Sequence, residues 1–204
     1  VLIMAPWNYP IQLCLAPLAG AIAAGNCAIV KPSAYAPNAS RAIRAVIEAA
    51  FPAEHAAVIE GGRAENQALL HERFDYIFFT GSSAVGKQVM QAAAEHLTPV
   101  SLELGGKSPV IVDDTADIRT AARRIAFGKV TNAGQTCVAP DYAFVREPVL
   151  ERFLAEYRRA LAEFFPGGDL SQLPVIVNAR HFARLRGLLE GQNIVIGGGC
   201  DEKT

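Results

Sequence analysis

The stretch "YIFFTGSSAVGKQVM", Tyr76 to Met90, joins two hydrophobic periods. Ile77 to Phe79 is a short continuous apolar run, which reads as a strand buried on both faces. From Val85 onward the apolar positions recur at helical spacing. Gly81 permits a tight turn between the two, and Ser82 or Ser83 suits a helix N-cap. Gly86 would let the helix approach a sheet or a ligand closely. Backbone N–H groups at such a helix start favour an anion, phosphate above all. The spacing is G-S-x-x-x-G rather than G-x-G-x-x-G, and a plain capped turn accounts for it equally well.

The same alternation extends outward. "VLIMA", "CAIVK", "AAVIE" and "VSLEL" are further strand candidates. Between the strands lie helical patterns at Pro10 to Ala24, Asn38 to Phe51, Glu65 to His71 and Val85 to His96. Strand and helix in alternation, with short connections, predict right-handed βαβ units and a parallel α/β sheet from Val1 to about Gly105. After "LELGGKSP" the rhythm changes. "PVIVDD" is strand-like, and Thr115 to Gly128 is helical with Asp113, Asp114 or Thr115 as its cap. "DYAFV" is strand-like, Pro148 to Phe164 and His181 to Leu189 are helical, and "NIVIG" is strand-like again. A domain boundary is expected at Gly105–Gly106, giving units 1–105 and 106–204. The chain opens inside a strand and stops just past another, so it is expected to be the middle of a longer protein.

Composition narrows the class. The 204 residues carry a formal net charge of −1 and are 51% apolar, enough for one sizeable core or one domain with part of another. Near-neutral charge without Lys/Arg runs argues against nucleic acid or an anionic membrane as partner. The longest apolar stretch, Ile11 to Ala24, is shorter than a membrane span and reads as a buried helix. The four cysteines form no C-x-x-C pair and no secretory signal precedes them, so reduced thiols and a cytoplasmic location are expected. The four histidines have no ligand spacing, and no metal is expected.

Several residues carry candidate chemistry. Lys31 ends the strand of "AIVKPS", over the crevice where open α/β sheets bind ligands, and could bond ribose hydroxyls; the plain alternative is a surface lysine. Asn8 in "APWNYP" could donate to a developing oxyanion, or simply cap the Pro10 helix. Glu103 in "SLELGGK" sits at an apolar strand end. An apolar enclosure there would suit a general base, whereas a solvent-facing glutamate is the alternative; Gly105 and Gly106 allow close approach to the backbone. Cys137 in "NAGQTCVAP" lies in a polar loop after a helix, among Gly134, Gln135 and Thr136, which are poor core residues. Cys14 and Cys27, each in an apolar element, fit inert buried packing.

"PWNYP", "KPS", "FTGSSAVGK", "LELGGKSP" and "NAGQTC", in this order and at these separations, resemble the aldehyde dehydrogenase superfamily. "EGGRAENQALLHERFDYIFFTGSSAVGK" and "CVAPDY" are similar to its class 3-type and coniferyl-aldehyde branch. The resemblance covers essentially the whole chain. It implies a Rossmann-like NAD(P)-binding domain over 1–105 and part of an α/β catalytic domain over 106–204. It implies oxidation of an aldehyde to a carboxylic acid with NAD or NADP, a small-molecule aldehyde as substrate, and a homodimer at full length. Cys137 would be the nucleophile, forming a thiohemiacetal and then a thioester. Asn8, with the Cys137 backbone N–H, would hold the oxyanion, and Glu103 would activate water. Gly81, Ser82 and Gly86 would hold the pyrophosphate, Lys31 the adenosine ribose, and Gly105 would lie by the nicotinamide.

The sequence departs from the family pattern at Ala34, where a glutamate commonly follows "KPS". Without that carboxylate, better tolerance of NADP is expected. The family's "EIFGP"-type motif and its oligomerisation strands are absent from the segment, which alone is expected to be poorly active and prone to aggregate, because edge strands and apolar faces would lack partners. Two alternatives remain open: a CoA-acylating or phosphorylating relative, and a non-catalytic fragment that binds nucleotide or other subunits.

Overall fold

Leu2, Ile3 and Met4 are all buried, yet they face different layers: Ile3 packs with Cys14, Leu18, Ile43 and Ile47, and Leu2 and Met4 with Leu69, Ile77, Val89 and Ala93. That alternation is the strand period of two, and it defines a sheet covered on both sides. Full burial of one such side chain contributes about 1.5–3 kcal/mol. The structure is a computed structural model that describes residues 1–201. The chain divides into two compact units, Val1–Gly105 and a second beginning at Gly106.

In the first unit, β1 (Leu2–Met4), β2 (Ala28–Lys31), β3 (Ala56–Val58), β4 (Ile77–Gly81) and β5 (Val100–Leu104) form one sheet in the order β3-β2-β1-β4-β5. Every neighbouring pair is parallel. The helices are α1 (Pro10–Ala23), α2 (Pro37–Ala50), α3 (Arg63–His71) and α4 (Ser83–Glu95). Residues of α1 and α2 fill one core cluster and those of α3 and α4 the other. The chain winds outward from β1 through β2 to β3, then returns to place β4 on the other side of β1. The reversal between β1 and β4 is where open α/β sheets hold ligands, at the carboxyl ends of the strands.

Three expectations are corrected in this unit. The apolar stretch after Pro10 is not a buried helix throughout; α1 buries Cys14 and Leu18 and leaves Ile11 exposed, because only one stripe of it meets the sheet. Cys27 is exposed, not core, since it precedes β2 at the amino edge of the sheet. Asn8 does not hold the cap position of α1: that position is Tyr9, whose side chain makes no cap hydrogen bond, and Pro10 supplies the first turn.

The second unit is built on a βαβ element, followed by two further α-helices among its described residues. β6 (Ser108–Val112) and β7 (Pro140–Val145) are parallel, and α5 (Ile118–Val130) and α6 (Glu147–Phe164) pack together. Val112, Ile118, Ala122 and Phe153 form their core. Helix α5 starts later than Thr115, because Asp113 accepts from the Thr115 backbone N–H (2.7 Å) in a turn; Asp117 is the cap instead, accepting from Thr120 N at 3.0 Å. Helix α7 (Ala179–Gly187) is capped by Asn178, which accepts from His181 N at 2.9 Å. "NIVIG" is not a strand: Ile194 and Val195 are exposed, and no described strand pairs with them. Without a ladder partner an apolar β-prone run gains nothing from extension. Among the described residues no helix is long and apolar enough to cross a membrane.

Candidate active site

Four connections leave the carboxyl ends of β1, β2, β4 and β5, and each carries a residue singled out above. Asn8 follows β1 and is half-buried. Lys31 is the last residue of β2, Gly81 the last of β4, and Glu103 is next to last in β5.

Lys31 is no surface lysine: it is only 3% exposed. Its Nζ donates to the carbonyls of Pro32 (2.8 Å) and Gly61 (2.7 Å). Burial pushes the Lys31 ammonium below the ordinary lysine range, opposed by the negative charge of Glu65. Glu65 in turn accepts from the Gly62 N–H at 2.6 Å, at the start of α3. Backbone N–H groups of Glu65 and Gly62 hold its carboxyl below the usual range. Ala34 lies in the exposed turn that follows.

At the end of β4 the chain turns straight into α4. Ser82 is the cap, its Oγ accepting from Val85 N at 3.4 Å. Gly86 is buried against β5, and a Cβ there would stand 2.9 Å from Leu104 Cδ2. Close approach of helix to sheet therefore accounts for this glycine. It leaves the α4 N-terminus, beside the β1/β4 reversal, as the anion-favouring feature of the edge.

Glu103 pairs in register with Thr80 and is exposed, on the edge strand β5. The apolar enclosure expected for it is not provided by this unit. Gly105 is exposed, with open space where a Cβ would stand.

Cys137 belongs to the second unit, in the turn between α5 and β7, and is an exposed free thiol. Cys14, by contrast, is fully buried, and burial raises its thiol to about 11. The approach to Cys137 is unusual backbone. Asn132 (φ 52°, ψ 33°), Ala133 (φ 53°, ψ 33°) and Gly134 (φ 73°) are consecutive left-handed residues. Such a conformation costs a non-glycine residue about 1–2 kcal/mol and persists only where surroundings enforce it. The chain is closely packed on both sides of this turn: a Cβ on Gly134 would meet the Lys129 carbonyl at 3.1 Å, and one on Gly128 would meet Pro140 Cδ at 3.0 Å. Gly106 passes the Cys137 carbonyl, 3.5 Å from where its Cβ would be. Lys107 pairs with Asp141 and holds that carboxyl below its usual range.

Sequence reading missed Asn132 and Gln135. The Asn132 amide donates to the Gln135 carbonyl at 3.4 Å, and Gln135 Nε2 to the Asn132 carbonyl at 3.1 Å. The signal was present in an Asn and a Gln bracketing a glycine before the cysteine, but side-chain partners are not written in a local pattern. Among the described residues no three potential metal-ligating side chains cluster.

Residues 1–203 of the 204 match the model of the aldehyde dehydrogenase family. It is 56% identical over 99% of its length to the 4,4'-diaponeurosporen-aldehyde dehydrogenase of Staphylococcus aureus, covering 45% of that protein. It is 49% identical over 99% of its length to human aldehyde dehydrogenase family 3 member B1, covering 44% of it. Among solved structures, a substrate-bound state of Staphylococcus aureus AldH superposes with a TM-score of 0.94 at 55% identity, covering 99% of this chain and 45% of that one. Mycobacterium tuberculosis aldehyde dehydrogenase complexed with NAD+ does so at 0.86 and 33% identity, covering 98% and 44%. The chain belongs to the aldehyde dehydrogenase family. It spans less than half the length of these relatives.

Proposed function

We propose that this chain carries the cofactor-binding and thiol-bearing parts of an NAD(P)-dependent dehydrogenase that oxidises an aldehyde to a carboxylic acid. The observation that carries the reading is Cys137: an exposed thiol three residues beyond a left-handed turn, in a chain whose Cys14 is buried and inert. Unit 1–105 is the cofactor domain and unit 106–204 the catalytic one.

The residues at the carboxyl edge fit a dinucleotide. The α4 N-terminus after Gly81, capped by Ser82, would hold the pyrophosphate, with Gly86 letting the helix sit close. Two carbonyls take two of the three Lys31 N–H donors, and a ribose hydroxyl would take the third. Gly105 would leave room beside the nicotinamide. Bound NAD(P)+ supplies a hydride acceptor.

Cys137 adds as thiolate to the aldehyde carbon, and the carbonyl oxygen becomes an oxyanion. The Asn8 amide and the Cys137 backbone N–H donate to that oxygen. Loss of hydride from the same carbon leaves an acyl thioester on Cys137. Glu103 takes a proton from water, water adds to the thioester, and the thiolate leaves with release of the acid. A hydrolytic base at Glu103 favours water over CoA or phosphate as acceptor.

The test is kinetic, on the protein in its natural full length. Cys137→Ser should abolish reduced-cofactor formation from an aldehyde. Glu103→Gln should keep the first-turnover burst and slow the steady state by on the order of 10²–10⁴-fold. Undiminished turnover by Cys137→Ser would sink the reading. Thioester transfer to added CoA, with no free acid formed, would replace it with the acylating alternative.

A further inference from the structure

Gln135 lies two residues before Cys137, and its side-chain amide uses both of its N–H donors and its oxygen. Oε1 accepts from Val177 N at 2.9 Å, and Nε2 donates to the Val175 carbonyl at 3.2 Å. These two groups are two residues apart, on the segment that leads into α7. The primary amide therefore meets the segment as one residue of a neighbouring strand would, offering an N–H and a C=O on the same side. The second Nε2 donor goes to the Asn132 carbonyl at 3.1 Å, inside the left-handed turn. The Gln135 backbone N–H donates to that same carbonyl at 3.0 Å. The segment being gripped is fixed in turn, because Asn178 next to it caps α7. One side chain thus joins the strained turn 132–134, the cysteine loop and a segment 40 residues further along.

We propose that Gln135 is a positioning residue for Cys137: its amide locks the loop to the Val175–Val177 segment and so sets the aim of the thiol. This rests on Cys137 being the nucleophile. Only a group with two donors and one acceptor in one plane satisfies the three partners. Glutamate has the same shape but no donor when ionised, and sets one oxygen against two carbonyls. Protonated, it regains one donor.

The variants Gln135→Glu and Gln135→Met are made in the natural full-length protein. Expected are a kcat lower by on the order of 10–100-fold, the scale of a loop misplaced by about 1 Å, and little change in KM for the nicotinamide cofactor. The rate of Cys137 alkylation by iodoacetamide, read by peptide mass spectrometry, should shift with kcat. Lowering pH from about 7.5 to about 5.5 should raise the activity of Gln135→Glu relative to wild type, and leave the Gln135→Met ratio flat. A third variant, Val177→Pro, removes the N–H that donates to Oε1 without touching the cysteine loop. It should reproduce the kcat loss, and the double variant Gln135→Met/Val177→Pro should be no worse than either single one. Wild-type kcat and alkylation rate in Gln135→Met, with only the melting temperature lowered, would overturn the proposal. So would strict additivity of the two losses. Alkylation is read without turnover, so it stays informative if the dehydrogenase reading itself fails.

Discussion

Lys31, at the carboxyl end of β2, donates to the carbonyl of Gly61 at 2.7 Å, 30 residues along the chain. The bond ties the loop before α3 to the strand edge, and fixes an ammonium group at the carboxyl end of the sheet.

Lys31→Met removes that bond and the one to Pro32, leaving two acceptors without it. A loss of roughly 1–3 kcal/mol in denaturant unfolding is expected, together with a higher KM for the cofactor. An unchanged unfolding midpoint would show that the bonds contribute nothing net.

Ala34→Glu restores a carboxylate to the exposed turn beyond Lys31. It should lower kcat/KM for NADP by at least roughly tenfold through like-charge repulsion of the 2′-phosphate, and spare NAD. Equal effects on both cofactors, or no NADP turnover in the wild type, would remove Ala34 from cofactor choice.

Gly86 separates two effects. Gly86→Ala gains about 1 kcal/mol of helix propensity, offset by pressing on the flexible end of Leu104, and should be near neutral. Gly86→Val adds bulk toward Leu102 and Leu104 and should cost about 1–3 kcal/mol. Thermal melts of the pair decide it; equal stabilities would mean that the helix does not need this close approach.

Ala133, at φ 53°, is a non-glycine residue in left-handed backbone. Ala133→Gly should raise stability by about 0.5–1 kcal/mol, strain relief outweighing the freer unfolded chain. Gly134→Ala, at φ 73° and crowded by the Lys129 carbonyl, should lower it. The opposite ordering of midpoints would mean that the turn is not held as described.

Cys14 gives a pH signature. Its folded thiol is raised by burial, against the opposing charge of Lys31, from 9.0 to about 11. Between those values the unfolded chain has lost the proton and the folded chain keeps it, so stability falls as pH rises. The contribution is fully present below pH 9 and gone once pH passes about 11. The stability difference between wild type and Cys14→Ala should shrink by on the order of 2–3 kcal/mol across that window. A difference flat with pH would contradict it.

Much of the architecture was legible because it is local. Apolar runs such as Ile77 to Phe79, followed by Gly81 and the Ser82 cap, dictate strand, turn and helix within a dozen residues. The ordered motifs named the family for the same reason: each is a short run of neighbours. Helix starts were less legible. Asp113, Asp114, Thr115 and Asp117 all suit a cap, and the Asp113–Thr115 turn left the role to Asp117.

The sequence by itself determined the α/β alternation, the family and the residues that carry its motifs. Only tertiary structure decided the order β3-β2-β1-β4-β5, the burial of Lys31, the exposure of Cys27 and Glu103, and the grip of Gln135 on Val175 and Val177. It also denied "NIVIG" a strand. The physical reason is common to all of these. A strand needs a ladder partner, a buried ammonium needs acceptors, and an amide needs donors and acceptors at set distances. Those partners lie tens of residues away, where no local pattern of side chains reaches.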